Sequence, residues 1–138
     1  MDYRLELIVI PVAEMDRAKA FYGERVGFTV DVDHRAGEDF RVIQLTPPGS
    51  ACSVTLMRNL EAAGSVQGLH LVVTDIDAAR AELSGRGVDA SEVFHFGPQG
   101  QTPGPDPQRA SYNSFVSFSD PDGNGFLVQE VKSGEAAH

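Results

Sequence analysis

The sequence predicts an α+β fold built from two copies of one βαβββ module. Two pairs of segments carry this prediction: VAEMDRAKAFY at 12–22 is similar to VTDIDAARAEL at 73–83, and TPPGSACSVTL at 46–56 is similar to DPDGNGFLVQE at 120–130. Self-similarity of this kind indicates a duplicated supersecondary unit. Each copy therefore contains an apolar strand, a helix, and further strands with a Pro/Gly turn before the last one.

The first module begins with a strand and continues into a helix. LELIVIPV at 5–12 is rich in β-branched residues, which is typical of a strand. Apolar residues such as Met15 and Ala18 then recur at helical spacing, which predicts a helix over 14–25, and Gly27 ends it. The remaining strands of this module are expected near 28–33, 39–46 and 52–58.

The second module repeats this order. GPQGQTPGPDPQR at 97–109 contains four Pro and three Gly, which predicts a long loop within it. The residues at 133–138 are expected to fray. The regular elements are expected as a strand near 69–74, a helix near 75–86 and strands near 88–95, 113–119 and 125–132.

Length and composition limit the possible functions. The 138 residues favour a single domain, with module 1 at about 3–60 and module 2 at about 66–132. A net charge of -9 disfavours a nucleic acid or an anionic membrane surface as partner. Cys52 is the single cysteine, which excludes an internal disulfide and a Cys-rich zinc site and favours a reducing cytoplasm. No window approaches the roughly 18 apolar residues of a membrane span.

The repeated module, the motif PVAEMDRAKAFY and the motif SFSDPDGNGFLVQEV together resemble the vicinal oxygen chelate superfamily. This superfamily includes glyoxalase I, extradiol dioxygenases, fosfomycin resistance enzymes and bleomycin resistance proteins. The resemblance covers about residues 3–132. It implies that the two modules form a curved sheet around a concave cavity. It also implies a homodimer, with the modules either exchanged between subunits or side by side.

The resemblance also indicates where a metal would bind. Metal-dependent members take their ligands from the first and last strand of each module, and those positions correspond here to Leu7, Gly68, Leu127 and Ser53. Thr55 replaces Ser53 if the register is shifted by one pair. Leu and Gly side chains have no donor atoms, and one hydroxyl cannot hold Zn, Fe or Mn. We therefore expect no metal and no cofactor.

A small polar set among apolar residues would instead line a pocket for an organic ligand. His70 is the candidate catalytic group, either as a base or as a hydrogen-bonding residue, and a purely structural histidine is the alternative. The candidate ligand-binding residues are Leu7, Val9, Ser53, Thr55, His70, His95, Arg109, Tyr112, Leu127 and Gln129.

Three of these candidates flank the predicted 97–109 loop, which would then act as a lid. Arg109 would pair with a ligand carboxylate or phosphate, and Tyr112 would stack or form a hydrogen bond. A solvated arginine and a half-buried tyrosine are the alternatives. His95 alternates with two phenylalanines, so it is open whether its ring points the same way as theirs.

Three functional hypotheses follow, and whether the protein is an enzyme stays open. The favoured one is a metal-independent small-molecule binding protein similar to the bleomycin resistance group. The second is a glyoxalase- or dioxygenase-like lyase or oxidoreductase that uses displaced ligands such as His70, His95 or Glu6. The third is a metal-free isomerase or lyase with His70 as base and Arg109 or Tyr112 as electrophile.

Overall fold

The computed structural model of the chain describes residues 1–132, so the tail expected to fray at 133–138 lies outside the described residues. Of the described residues, unit 1 comprises Met1–Val66 and Asp120–Asn124, and unit 2 comprises Gln67–Ser119 and residues 125–132. Each unit has one helical segment and one β-sheet, which confirms the predicted α+β class. Among residues 1–132, no helix is long and apolar enough to span a bilayer.

Unit 1 contains a four-stranded sheet in the order β1-β4-β3-β2. Strand β1 runs parallel to β4, and the other pairs are antiparallel. The helix forms where it was predicted, but its second half widens into a π-helical turn before Gly27, whose φ of 92° ends it. The elements are β1 (Leu7–Val12), α1 (Met15–Ala20), the π-helical turn (Phe21–Val26), β2 (Thr29–Ala36), β3 (Phe40–Thr46) and β4 (Ser53–Arg58).

The two faces of this sheet differ because side chains alternate along each strand. Helix α1 contacts β3 and β4 and covers one face of the sheet, where Lys19 of the helix also pairs with Asp33 of β2. We call the other face the helix-free face of unit 1. It carries the paired row Val9, Thr55, Gln44 and Val32, one residue from each strand. The covered face forms the core and contributes Ile10, Val12, Ile43, Leu45, Val54 and Leu56.

Unit 2 contains a five-stranded sheet in the order β5-β9-β8-β6-β7, again with its first strand parallel to its last. Helix α2 contacts β8 and β9, so this sheet also has a helix-free face. It carries the paired row Val72, Gln129, Phe115 and Phe94. The elements are β5 (Leu69–Val73), α2 (Ile76–Gly85), β6 (Phe94–Gly97), β7 (Gly100–Pro103), β8 (Phe115–Ser119) and β9 (Gly125–Glu130).

The prediction of one long loop at 97–109 is wrong in its first part. Residues Gly100–Pro103 form strand β7, which pairs with β6 through a two-residue turn. Gly97 and Gly100 pair across that turn, and Gly100 has a φ of 98°, a conformation that glycine adopts without steric cost. The high Gly and Pro content therefore marks a tight hairpin followed by irregular chain. The strand expected at 88–95 begins only at Phe94.

A buried polar network holds the Asp120–Asn124 turn within unit 1. The hydroxyl of Tyr22 donates to Asp120 at 2.7 Å, and the side-chain amide of Asn124 donates to the same carboxylate and to the carbonyl of Pro11. Tyr22 and Asn124 are fully buried. Burial and the nearby carboxylate raise the pKa of Tyr22 well above its usual value, so its hydroxyl remains a donor. The network explains why this turn groups with unit 1.

Candidate functional site

The helix-free face of unit 2 brings three of the predicted site residues together. His70 pairs with Leu127 and Val72 pairs with Gln129 across the parallel strands β5 and β9, so all four side chains lie on one face. His70 and Val72 are exposed, and Leu127 and Gln129 are half-buried. This face therefore offers an imidazole and an amide beside apolar surface.

Three phenylalanines extend this face along β6 and β8. The ring centroids of Phe94 and Phe115 are 5.6 Å apart, those of Phe96 and Phe115 are 5.5 Å apart, and those of Phe94 and Phe96 are 6.0 Å apart. These separations are typical of favourable aromatic pairs. Phe96 is 52% exposed, so the cluster presents a ring to the outside. We call Phe94, Phe96 and Phe115 the aromatic cluster.

A groove of about 480 Å³ borders this cluster. Its walls include Phe94, Pro103 and Ser117. Ser117 pairs with Leu127, and Pro103 pairs with Phe94, so the groove follows the paired strands. Its volume lies within the range of about 300–1,000 Å³ found for small-molecule sites.

The imidazole of His70 is held in one orientation. Its Nδ1 lies 2.6 Å from the carbonyl oxygen of Gly68. Because a carbonyl can only accept, Nδ1 carries the hydrogen, and in the neutral ring Nε2 is left as the acceptor. The His70 side chain can therefore accept a hydrogen bond or a proton at Nε2.

The helix-free face of unit 1 brings together the four candidate ligand-binding residues that lie in β1 and β4. Leu7 pairs with Ser53 and Val9 pairs with Thr55, so both hydroxyls lie on this face and Ser53 is the direct neighbour of Leu7. Ser53 and Thr55 are buried, whereas Val9 is 45% exposed. Ser53 forms a 2.7 Å hydrogen bond with the hydroxyl of Thr46.

His95 lies on the other face of its strand from the aromatic cluster. Its side chain is buried, and its Nδ1 lies 2.7 Å from the carbonyl oxygen of Gly104. Phe94 and Phe96 flank it and point the opposite way, as alternation along a strand requires. The structure therefore does not place His95 with His70.

Arg109 forms a bidentate ion pair inside unit 2. Its guanidinium donates to both carboxylate oxygens of Glu130, at 2.9 and 2.7 Å, and lies 3.3 Å from Asp77. Glu130 is buried and also accepts from the backbone N–H of Ile76 at the start of α2. The hydrogen bond from Arg109 lowers the pKa of Glu130. Glu130 directly follows Gln129 in strand β9, so its side chain lies on the opposite face of the sheet.

The chain around Arg109 and Tyr112 has an unusual backbone. Both residues adopt positive φ values, 49° and 68°, and they are the two non-glycine residues among the described residues that do so. The N–H of Tyr112 donates to the carbonyl of Glu130 at 2.7 Å. The carboxylate of Asp106 accepts from the backbone N–H groups of Gln108 and Ala110. These contacts involve residues 106–112, which include only the end of the 97–109 segment that was predicted to act as a lid.

The four positions that correspond to the metal ligands of the family do not fit a metal. Leu7, Gly68 and Leu127 offer no donor atom, and the hydroxyl of Ser53 is already bonded to Thr46. Within residues 1–132, no group of three or more His, Cys, Asp or Glu residues could hold a metal ion.

The aromatic cluster is the feature that sequence reasoning missed. The sequence pattern relates Phe94 and Phe96 only to the direction of His95, and it does not point to Phe115. The signal was available in part, because FHF at 94–96 alternates two aromatic residues with His95. What the sequence could not supply is the pairing of Phe94 with Phe115, which joins the two strands.

The chain belongs to the Glyoxalase/Bleomycin resistance protein/Dioxygenase superfamily, whose family model matches residues 4–128. This match confirms the family that the two motifs and the repeat indicated. The absence of donor atoms at Leu7, Gly68 and Leu127 makes this chain a member that lacks the family's usual metal ligands.

Solved structures of similar proteins come from Streptomyces sp. CB03234. TnmS3, described as an antibiotic binding protein, is 30% identical, with a TM-score of 0.74 and coverage of 95% of this chain and 98% of that one. A glyoxalase/bleomycin resistance protein is 32% identical, with a TM-score of 0.69 and coverage of 92% and 100%. The uncharacterised protein YetH of Bacillus subtilis (strain 168) is 26% identical over 126 residues, which is 89% of this chain and 94% of YetH.

The ion pair between Arg109 and Glu130 predicts a specific loss of stability in acid. Because the pKa of Glu130 in the folded protein lies below its ordinary value of 4.5, the stabilisation is complete above that pH and is lost as the pH falls through the lowered pKa. Glu130→Gln should remove this part of the acid dependence. Urea denaturation between pH 3 and pH 7 measures the free energy of unfolding of the wild-type protein and of Glu130→Gln.

The control is Glu82→Gln, because Glu82 forms an exposed pair with Arg86. This variant should keep the wild-type acid dependence, since exposed pairs contribute little. If the acid dependence of Glu130→Gln were the same as in the wild type, the ion pair between Arg109 and Glu130 would not be the cause of the loss of stability in acid.

Proposed function

We propose that the protein binds a small organic molecule with a planar aromatic part, without a metal, on the helix-free face of unit 2. The observation that carries the proposal is the aromatic cluster, whose exposed member Phe96 lies beside two further rings. A planar ligand that stacks on Phe96 removes apolar surface of both partners from water.

Polar groups on the same face would orient such a ligand. In the row that contains Phe115, the half-buried amide of Gln129 can both donate and accept hydrogen bonds. Nε2 of His70 adds an acceptor from the neighbouring row. A few polar groups among apolar surface are the usual composition of a small-molecule site.

The similarity to TnmS3 supports this proposal. That protein is described as antibiotic-binding, is 30% identical to this chain and matches it over nearly its full length. We infer that this chain likewise acts by binding its ligand. The proposal that the ligand is planar and aromatic rests on the aromatic cluster and not on the similarity to TnmS3.

A second candidate function rests on His70. The fixed hydrogen bond from Nδ1 to Gly68 leaves Nε2 as a proton acceptor on an exposed face, which is the geometry of a general base. A metal-free isomerase or lyase would use this group to remove a proton next to a carbonyl. Arg109 and Tyr112 were the expected electrophiles, and the pairing of Arg109 with Glu130 disfavours Arg109 in that role.

We propose a cytoplasmic homodimer as the working form. Every second residue from Tyr3 to Val9 is apolar, and Tyr3, Leu5 and Val9 are 91%, 66% and 45% exposed. Strand β1 is an edge strand of the sheet of unit 1, and natural proteins usually cover such edges. The cytoplasmic location is supported by the single cysteine.

Binding should depend on Phe96. Calorimetric titration with acridone, a neutral planar compound, and with metal-free bleomycin in the presence of EDTA tests the proposal. Phe96→Ala should weaken binding about tenfold, because it removes the stacking surface. Phe40→Ala is the matched control, since Phe40 is 45% exposed on unit 1, and it should not change binding. Dissociation constants above about 1 mM for both compounds would contradict the proposal.

The candidate base is tested by proton exchange. If His70 acts as a base, the wild-type protein should speed the exchange of hydrogen for solvent deuterium at C3 of 2-oxo acids, the carbon next to the keto group. Proton NMR follows this exchange. His70→Gln should reduce the rate by about 100-fold or more, the range typical of a general base. Equal rates with and without protein would remove this candidate function.

The dimer is tested by light scattering. A mass of about twice the 14.8 kDa of the chain is expected. The double variant Tyr3→Ser, Leu5→Ser should lower that mass toward the monomer, because it removes exposed apolar surface from the arm that leads into β1. A monomeric wild-type protein at about 100 μM would contradict the proposal.

A further inference from the structure

A chain of hydrogen bonds crosses the helix-free face of unit 1. It begins at a β-bulge in β2, where Val30 pairs with Leu45 and Val32 pairs with Gln44, so that Asp31 has no partner of its own in β3. A bulge changes the direction of a side chain, and bulges are frequent beside functional sites. The carboxylate of Asp31 accepts a hydrogen bond from the hydroxyl of Thr46.

The direction of the next hydrogen bond follows from the first. Thr46 has one hydroxyl hydrogen, which it donates to Asp31. The 2.7 Å contact between the hydroxyls of Thr46 and Ser53 must therefore be donated by Ser53. The hydroxyl hydrogens of Thr46 and Ser53 are therefore both used in this series of hydrogen bonds. Ser53 Oγ and the second carboxylate oxygen of Asp31 are left as acceptors, so this series of hydrogen bonds offers an acceptor at each end.

A second observation points to a polar ligand at the same face. Thr55 lies two residues after Ser53 in β4 and has only 8% of its surface exposed. Its hydroxyl oxygen is buried and has no hydrogen-bond partner among the described residues. An unsatisfied buried hydroxyl costs about 1–3 kcal/mol. A polar group bound beside Ser53 would reduce that cost by bonding to Thr55.

We propose that Asp31, Ser53 and Thr55 bind a protonated primary amine of a small molecule. An ammonium group has three N–H donors and no acceptor, which matches a strip of acceptors. The carboxylate of Asp31 adds a charge-assisted hydrogen bond. Within residues 1–132, no Lys, Arg or His forms a salt bridge with Asp31, whereas Asp33 in the same strand pairs with both Lys19 and Arg41.

The charge of the whole chain favours the same class of ligand. A net charge of -9 raises the local concentration of cations and lowers that of anions. The site lies on unit 1, and the proposed aromatic site lies on unit 2. The amine site therefore does not depend on the proposed function.

The test is a titration of ¹⁵N-labelled protein with n-propylamine at pH 7, followed by two-dimensional NMR. Saturable shifts are expected at the amides of Asp31, Thr46 and Ser53. Asp31→Asn should weaken the binding by about tenfold or more, since it removes the charge-assisted bond. Ser53→Ala should also weaken it. Circular dichroism establishes that both variants fold.

Asp39→Asn is the matched control. Asp39 is an exposed carboxylate in the turn of the same β2–β3 hairpin and forms no salt bridge among the described residues, so its loss should leave the amine affinity unchanged. 1-Propanol, which has the same chain but no charge, should bind at least about tenfold more weakly than the amine.

Three results would overturn the amine site. They are the absence of saturable shifts up to about 100 mM amine, equal affinity in wild type and Asp31→Asn, and equal affinity for amine and alcohol. None of these results affects acridone binding at Phe96. Failure of the amine site is therefore distinguishable from failure of the proposed function.

Discussion

The parallel pairing of the first and last strand in each unit determines the rest of this structure. In unit 1 it places Leu7 beside Ser53 and Val9 beside Thr55, and in unit 2 it places His70 beside Leu127 and Val72 beside Gln129. Because side chains alternate along a strand, a shift of one residue would send every one of these side chains to the helix-covered face. The register therefore decides which chemistry each helix-free face presents.

The two faces present different chemistry on the same framework. Unit 1 offers hydroxyls and a carboxylate, arranged so that acceptors remain free. Unit 2 offers three aromatic rings with an imidazole and an amide. At the positions where the family resemblance led us to look for metal ligands, Leu7, Gly68 and Leu127 provide no donor atoms. One fold can therefore present different chemistry through the residues that line it.

Much of this organisation could be predicted from the sequence. The repeat predicted both modules, and the motif spacing predicted that His70, Leu127 and Gln129 share a face, as the pairing of β5 with β9 shows. Strand β7 was missed because its Gly and Pro residues suggest a loop until their pairing with β6 is known. The bulge at Asp31 and the contact of Phe94 with Phe115 depend on cross-strand register, which a single sequence does not encode locally. The partner of Arg109 is Glu130, 21 residues later, and was likewise beyond prediction.

We propose that the helix-free face of unit 2 binds an organic ligand through aromatic contact and without a metal. A crystal structure of the complex with acridone, from crystals grown with EDTA, tests this proposal. We expect ring density stacked on Phe96 within hydrogen-bonding distance of Gln129 or His70. Acridone bound away from the aromatic cluster, or a complex that forms only after a divalent metal is added, would contradict it.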